Sequence, residues 1–204
     1  MRTCTGSPPR LNCLVATVAA PETSHDVNVS DPGPTSERLW RDAEAAFKRR
    51  DYAEAVRLLE ALAGGDAAPA GLEPGAVELQ LGIALLRLGG TAEGVAALQR
   101  AAGLAPADAR IRRKLGTGLS RMGRQDEALV ELQRAVDLDP AVADYQWRLG
   151  DQHHRLGHPS EARRAYERAI GIEPGHALSL QGLGRLKQSP LRRLARLARG
   201  LTRR

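Results

Sequence analysis

Three stretches decide the fold once they are laid over one another: GAVELQLGIALLRLGGTAEGVAALQRAAGLAPAD at 75–108, ARIRRKLGTGLSRMGRQDEALVELQRAVDLDPAV at 109–142 and ADYQWRLGDQHHRLGHPSEARRAYERAIGIEPGH at 143–176. Pro106, Pro140 and Pro174 stand 34 residues apart. In the same register Leu81, Leu115 and Leu149 coincide, each followed by Gly82, Gly116 or Gly150. Further on, Gly89, Gly123 and Gly157 coincide, as do Ala101, Ala135 and Ala169. Ala128 and Ala162 coincide as well, and Gly94 alone breaks that column. Common residues each occupy roughly a tenth of positions or less, so chance does not produce this agreement.

The spacing reads as two helices per unit. The first spans about positions 2–14 of each stretch and ends at the glycine of position 15, where a left-handed residue closes a helix at little cost. The second spans about positions 18–30, and the proline at position 32 keeps it from continuing. Gly at position 8 and Ala at position 20 have almost no side chain, so the pair can approach closely, and Leu and Ala at 7, 24 and 27 fill the seam. A single hairpin of this kind cannot bury its apolar face; stacked hairpins bury a continuous core.

These columns resemble the tetratricopeptide repeat, with its W-x2-L-G-x2-Y, A-x3-F, A and P pattern. The resemblance covers about residues 36–188, and leucine has mostly replaced the aromatics: Leu98 and Leu132 stand at the Phe position, and Glu78, Arg112 and Gln146 at the first Trp position. It implies an all-α solenoid of antiparallel helix pairs wound as a right-handed superhelix. It also implies a groove lined by the first helices, where a protein segment binds.

Upstream, Trp40, Ala43, Phe47, Asp51, Tyr52, Ala55 and Leu59 align if a degenerate first repeat begins at Ser36, with Arg50 at the place of the turn glycine. The expected organisation is therefore a disordered leader (1–35), repeats at 36–69, 75–108, 109–142 and 143–176, a capping helix (177–188) and a basic C-terminal segment (189–204).

Composition agrees. Hydrophobic residues are 42% of the 204 residues but aromatics only 3%, so the core must be largely Leu and Ala, which suits close helix packing more than a β-sandwich. The formal net charge is +6, yet no acidic residue follows Glu173, and the eight cations beyond it more than supply that excess. The body is thus slightly acidic, which argues against a general nucleic-acid grip. Arginine outnumbers lysine heavily, as in GC-rich bacterial genomes. Cys4 and Cys13 have neither disulfide nor zinc-ligand spacing. No apolar run reaches 18 residues, so a membrane span is not expected. Leu11–Ala20 has the length of a signal-peptide core, but Asn12 and Thr17 interrupt it, leaving a disordered leader or a misassigned start beside that reading. A cytoplasmic location is expected, with membrane attachment as an alternative.

No nucleotide-binding, serine-hydrolase or zinc-protease motif occurs, so no catalytic residue, cofactor, metal or small-molecule substrate is expected. His153, His154 and His158 are split by the Gly157 turn and do not make a ligand set. The candidate site is the groove: Trp40, Glu44, Phe47, Arg110, Arg113, Lys114, Thr117, Arg121, Trp147, Arg148, Asp151 and His154. Both tryptophans fall at position 5, expected to face the groove as anchors. The cations of the third repeat suit an acidic segment of a partner protein. Arg110 and Lys114 resemble half of the family's carboxylate clamp, but Trp40 and Glu44 stand where its other half needs Lys and Asn. A second expectation concerns Arg192, Arg193, Arg196 and Arg199. They flank a Leu191, Leu194, Ala198, Leu201 stripe and make a basic amphipathic helix suited to a membrane surface or nucleic acid. A third is an accessory module of a larger enzyme system.

Overall fold

The computed structural model describes residues 35–65 and 69–188; the expectations for the leader and the basic C-terminal segment lie outside them. Nine helices make up the described part, and it contains no strand. They are α1 (Ser36–Lys48), α2 (Tyr52–Ala63), α3 (Ala76–Leu88), α4 (Thr91–Leu104), α5 (Ala109–Arg121), α6 (Gln125–Leu138), α7 (Ala143–Arg155), α8 (Pro159–Ile172) and α9 (Ala177–Gln188). This is the all-α stack of helix pairs that the repeat implies.

The helix ends follow from their residues. Thr35 and Asp51 accept hydrogen bonds from the backbone N–H groups of Arg38 and Glu54, and the Asp108 carboxylate accepts from those of Arg110 and Ile111. Each capped end satisfies donors that have no partner inside the helix. Gly89, Gly123 and Gly157 turn the chain between the helices of a pair at φ of 95°, 82° and 78°. Arg50 holds the equivalent place at φ 62°.

Helix contact within the α3–α4, α5–α6 and α7–α8 pairs passes through the glycine of position 8. A Cβ built on Gly82, Gly116 or Gly150 would lie 2.6–2.7 Å from Leu98 Cγ, Leu132 Cγ or Tyr166 Cε1 respectively. It would also lie 2.9–3.1 Å from the backbone oxygen of Gly94, Ala128 or Ala162. The exception at Gly94 has a local reason. Position 12 of that repeat is Leu86, and a Cβ on Gly94 would meet Leu86 Cγ at 2.9 Å. In the fourth repeat the larger Tyr166 ring is fully buried, with Gly150 on one side and Gly182 of α9 on the other.

The departures at the first Trp position also have a structural account. Glu78 of α3 pairs with Arg100 of α4 at 2.9 Å, and Arg112 of α5 pairs with Glu131 of α6 at 3.1 Å, with both side chains of the second pair largely covered. An ion pair ties the two helices where the family uses an aromatic.

The first helices of successive repeats touch (α3 with α5, α5 with α7, α7 with α9), whereas the second helices make no comparable approach among the described residues. The stack therefore curves with α3, α5 and α7 on its inner side.

Three substitutions test this account by thermal or urea denaturation. Gly150→Ala should cost about 1–3 kcal/mol, because backbone and a buried ring both stand in the way. Gly103→Ala, on an exposed helical glycine with nothing within 4 Å of the new methyl, should instead stabilise by about 0.5–1 kcal/mol. Arg50→Gly should stabilise by about 1 kcal/mol, since it relieves a left-handed backbone on a side chain with a Cβ.

Candidate binding groove

The residues expected at the groove separate into three places. On α1, Trp40, Glu44, Phe47 and Lys48 line a cavity of about 210 Å³ with Ala43, Leu59 and Gln80. Trp40 and Phe47 are half-buried. They pack against the Ala43, Leu59, Leu62 and Leu81 cluster and hold the cavity wall in place.

Arg110 stands apart from this cavity. Its guanidinium pairs with Asp108, the cap of its own helix, at 2.8 Å, and with Glu73 of the long α2–α3 connection. These two carboxylates hold its charge firmly in place, the Asp108 hydrogen bond contributing most. Arg110 is thereby tied to the cap of its own helix and to that connection, while its side chain stays largely exposed.

The third place is the α5–α7 face, where Arg113, Lys114, Thr117, Arg121, Arg148 and Asp151 come together. Asp144 of α7 lies 3.3 Å from Arg113 and 3.8 Å from Arg148. Asp151, two turns further along the same face of α7, lies 3.0 Å from Arg155 and 3.6 Å from Arg185 of α9. Two carboxylates thus temper four arginines. Arg87 of α3 and Lys114 have no carboxylate within ion-pair distance among the described residues. Lys114 is pushed down to about 8, chiefly by burial and then by the charges of Arg113, Arg87 and Arg148. Burial likewise lowers Arg148, with Asp144 opposing it. Arg113 Nε and Arg148 Nε are both buried without a hydrogen-bond acceptor among the described residues. A pocket of about 170 Å³ opens here between α5 and α7, lined by Thr117, Ser120, Arg121, Arg148, Asp151 and Arg155. The Thr117 hydroxyl donates to the Arg113 carbonyl and the Ser120 hydroxyl to Gln125, so the arginines are the donors left for an anion. Arg121 also donates to the Leu86 carbonyl at 3.3 Å, bridging α5 to α3. His154 is half-buried in the last turn of α7.

Trp147 corrects the expectation of a second groove anchor. It is only 8% exposed and packs with Tyr166, Leu183 and Leu186, because α9 closes over position 5 of the last full repeat. The Arg148 guanidinium sits 4.2 Å from its ring centroid, so the ring supports a groove cation without reaching the groove itself. His153 is half-buried and exposed His158 lies beside it, ring centroids 5.9 Å apart.

Sequence reasoning missed Gln152. It is almost fully buried, and its amide donates to the backbone and side-chain oxygens of Gln125 at 2.8 Å each. This bond locks α7 onto the α5–α6 turn behind the cationic face. The one available signal was a long amide in a column where the other repeats have Ala84 and Gly118.

Comparison with known proteins follows this geometry. The family model described as tetratricopeptide repeat matches residues 113–177, and that described as bacterial transcriptional activator domain matches residues 72–139. No curated protein matches the chain. Among solved structures, it is similar to YrrB, described as a TPR protein with an unusual peptide-binding site. That likeness has 27% identity, covers 75% of this chain and 76% of that one, and has a TM-score of 0.65. It is also similar to MamA from Desulfovibrio magneticus RS-1, at 22% identity, 74% and 83% coverage and a TM-score of 0.67. The first TPR of Spaghetti, bound to an HSP90 peptide, is 19% identical over 56% of this chain and 91% of that one, with a TM-score of 0.55.

The crowding of cations at Lys114 makes a stability prediction. Its proton is held less tightly in the folded chain, near 8, than at the usual lysine value of 10.5. The cost of burying that charge is fully present below pH 8 and is relieved as pH rises toward 10.5. Lys114→Met should therefore stabilise the protein at pH 7 by about 1 kcal/mol, a figure discounted for the screening of a half-buried group. Thermal melts of both proteins from pH 7 to 10.5 should show that advantage shrinking.

Proposed function

We propose that this chain, which is a tetratricopeptide-repeat protein, holds an extended acidic segment of a partner protein on the inner face of α3, α5 and α7. Repeats of this kind are interaction modules, and we read the protein as a binding scaffold without catalytic machinery of its own. The observation that carries the acidic preference is the excess of cations around Lys114. Arg87, Arg113, Lys114, Arg121 and Arg148 gather there, with Asp144 and Asp151 as the nearby counter-charges. A ligand carboxylate would relieve the mutual repulsion of these cations. The likeness to YrrB, whose description names a peptide-binding site, supports a peptide as the ligand.

A second reading has one observation behind it. The match of residues 72–139 to the bacterial transcriptional activator domain favours a place in a bacterial regulatory assembly, where the same groove would take its segment from a regulator. Capture of partners on the immobilised protein separates the two by what is retained.

The charge test uses a fluorescein-labelled glutamate-rich peptide and a lysine-rich control, followed by anisotropy at low salt. The acidic peptide should bind and the control should not. Reversal of Arg113 and Lys114 together (Arg113→Glu with Lys114→Glu) should weaken binding at least tenfold while the circular dichroism spectrum stays helical. Equal binding by the double variant would overturn the proposal.

A further inference from the structure

The acidic-segment reading uses α5 and α7 and leaves the α1 cavity without a task. That cavity differs in kind. Its walls are Trp40, Phe47, Ala43 and Leu59, and its charged residues, Glu44 and Lys48, are one of each sign. The cavity thus has no charge preference to offer and a mostly apolar lining, including the indole of a tryptophan that no helix among the described residues covers as α9 covers Trp147. Its volume of about 210 Å³ suits a side chain the size of leucine or phenylalanine. The two ends of the groove therefore ask for different chemistry. Between them lies α3, whose Leu79, Ile83 and Leu86 are half-buried and whose Arg87 already belongs to the cationic end.

We infer that the segment bound at the cationic end also carries a large apolar side chain that seats between Trp40 and Phe47, so that the groove reads an apolar anchor and an acidic run in a fixed order. The inference rests on the acidic-segment reading and adds the second anchor and the direction. Neighbouring inner helices stand about 8–10 Å apart, so the two steps from α1 to α5 span about 20 Å. An extended chain covers that in about six residues.

Three synthetic peptides test it on the full chain. One places Phe six residues before a run of six glutamates, one replaces that Phe by Ala, and one places the Phe six residues after the run. Anisotropy titrations should show one of the two Phe orders binding about tenfold more tightly than the Ala peptide, and Trp40→Ala should abolish that advantage. Lys114→Glu should weaken the Phe and Ala peptides by the same factor. The Ala peptide requires no change to the protein, so a folding defect in Trp40→Ala cannot hide the answer. If the Ala peptide binds as tightly as both Phe peptides, the apolar anchor is wrong and the acidic reading stands. An advantage that survives Trp40→Ala overturns the assignment to this cavity, and equal gains from both Phe orders overturn the fixed direction. If no peptide binds at low salt, the acidic reading fails and takes this inference with it.

Discussion

The three regular repeats depend on how closely two helix backbones approach at the glycine of position 8. Gly82, Gly116 and Gly150 leave no room for a methyl group against the partner helix, whose own position 20 is Gly or Ala. The close approach brings Leu98, Leu132 or Tyr166 across the seam, where each is almost fully buried. It also fixes the separation of the paired helices, and with it the direction in which the next pair stacks. The inner face is a consequence of that repeated geometry. Its side chains differ from repeat to repeat because the seam does not need them.

The helix ends, the paired seam and the order of elements were legible because they rest on residues with few physical alternatives. A glycine at φ near 80–95° and a proline just past a helix leave the backbone little choice. Even the irregular Arg50 was readable, since its place in the register predicts a left-handed residue and the structure shows one. The groove was legible only as a set of positions. Trp147 is buried because a half-repeat happens to follow it, and the identity of position 5 says nothing about what covers it. Asp144 and Asp151 could be placed on the right face, but their choice of Arg113, Arg148, Arg155 and Arg185 depends on distances between helices. The pairing of Arg110 with Glu73 was not legible, because Glu73 lies in an irregular connection that no periodicity describes. Gln152 was invisible for a related reason, because its partners on Gln125 come from a different repeat.

The carboxylates on the inner face change how its charge should be understood. A row of arginines without counter-ions would repel itself strongly at these distances, and the burial of Arg113 and Arg148 would add to the cost. Asp144 lies between two of them and lowers that cost while leaving Lys114 and Arg87 outside ion-pair distance of any described carboxylate. The arrangement is a partly neutralised surface with a net positive remainder.

That remainder also bears on why such a cluster can persist. A half-buried lysine held near 8 by its neighbours weakens the folded state. In a protein with one undivided core, the same strain would act on the packing that holds the chain together. Here the core is divided into seams between helix pairs, each closed by its own leucines, alanines and glycines, and the groove lies to one side of them. Gln152 and the Trp147 ring stiffen the support behind the cations without neutralising them. A repeat fold can therefore keep a costly, unpaired charge on its inner face, because the residues that build the seams and those on that face occupy different positions of the same 34-residue unit.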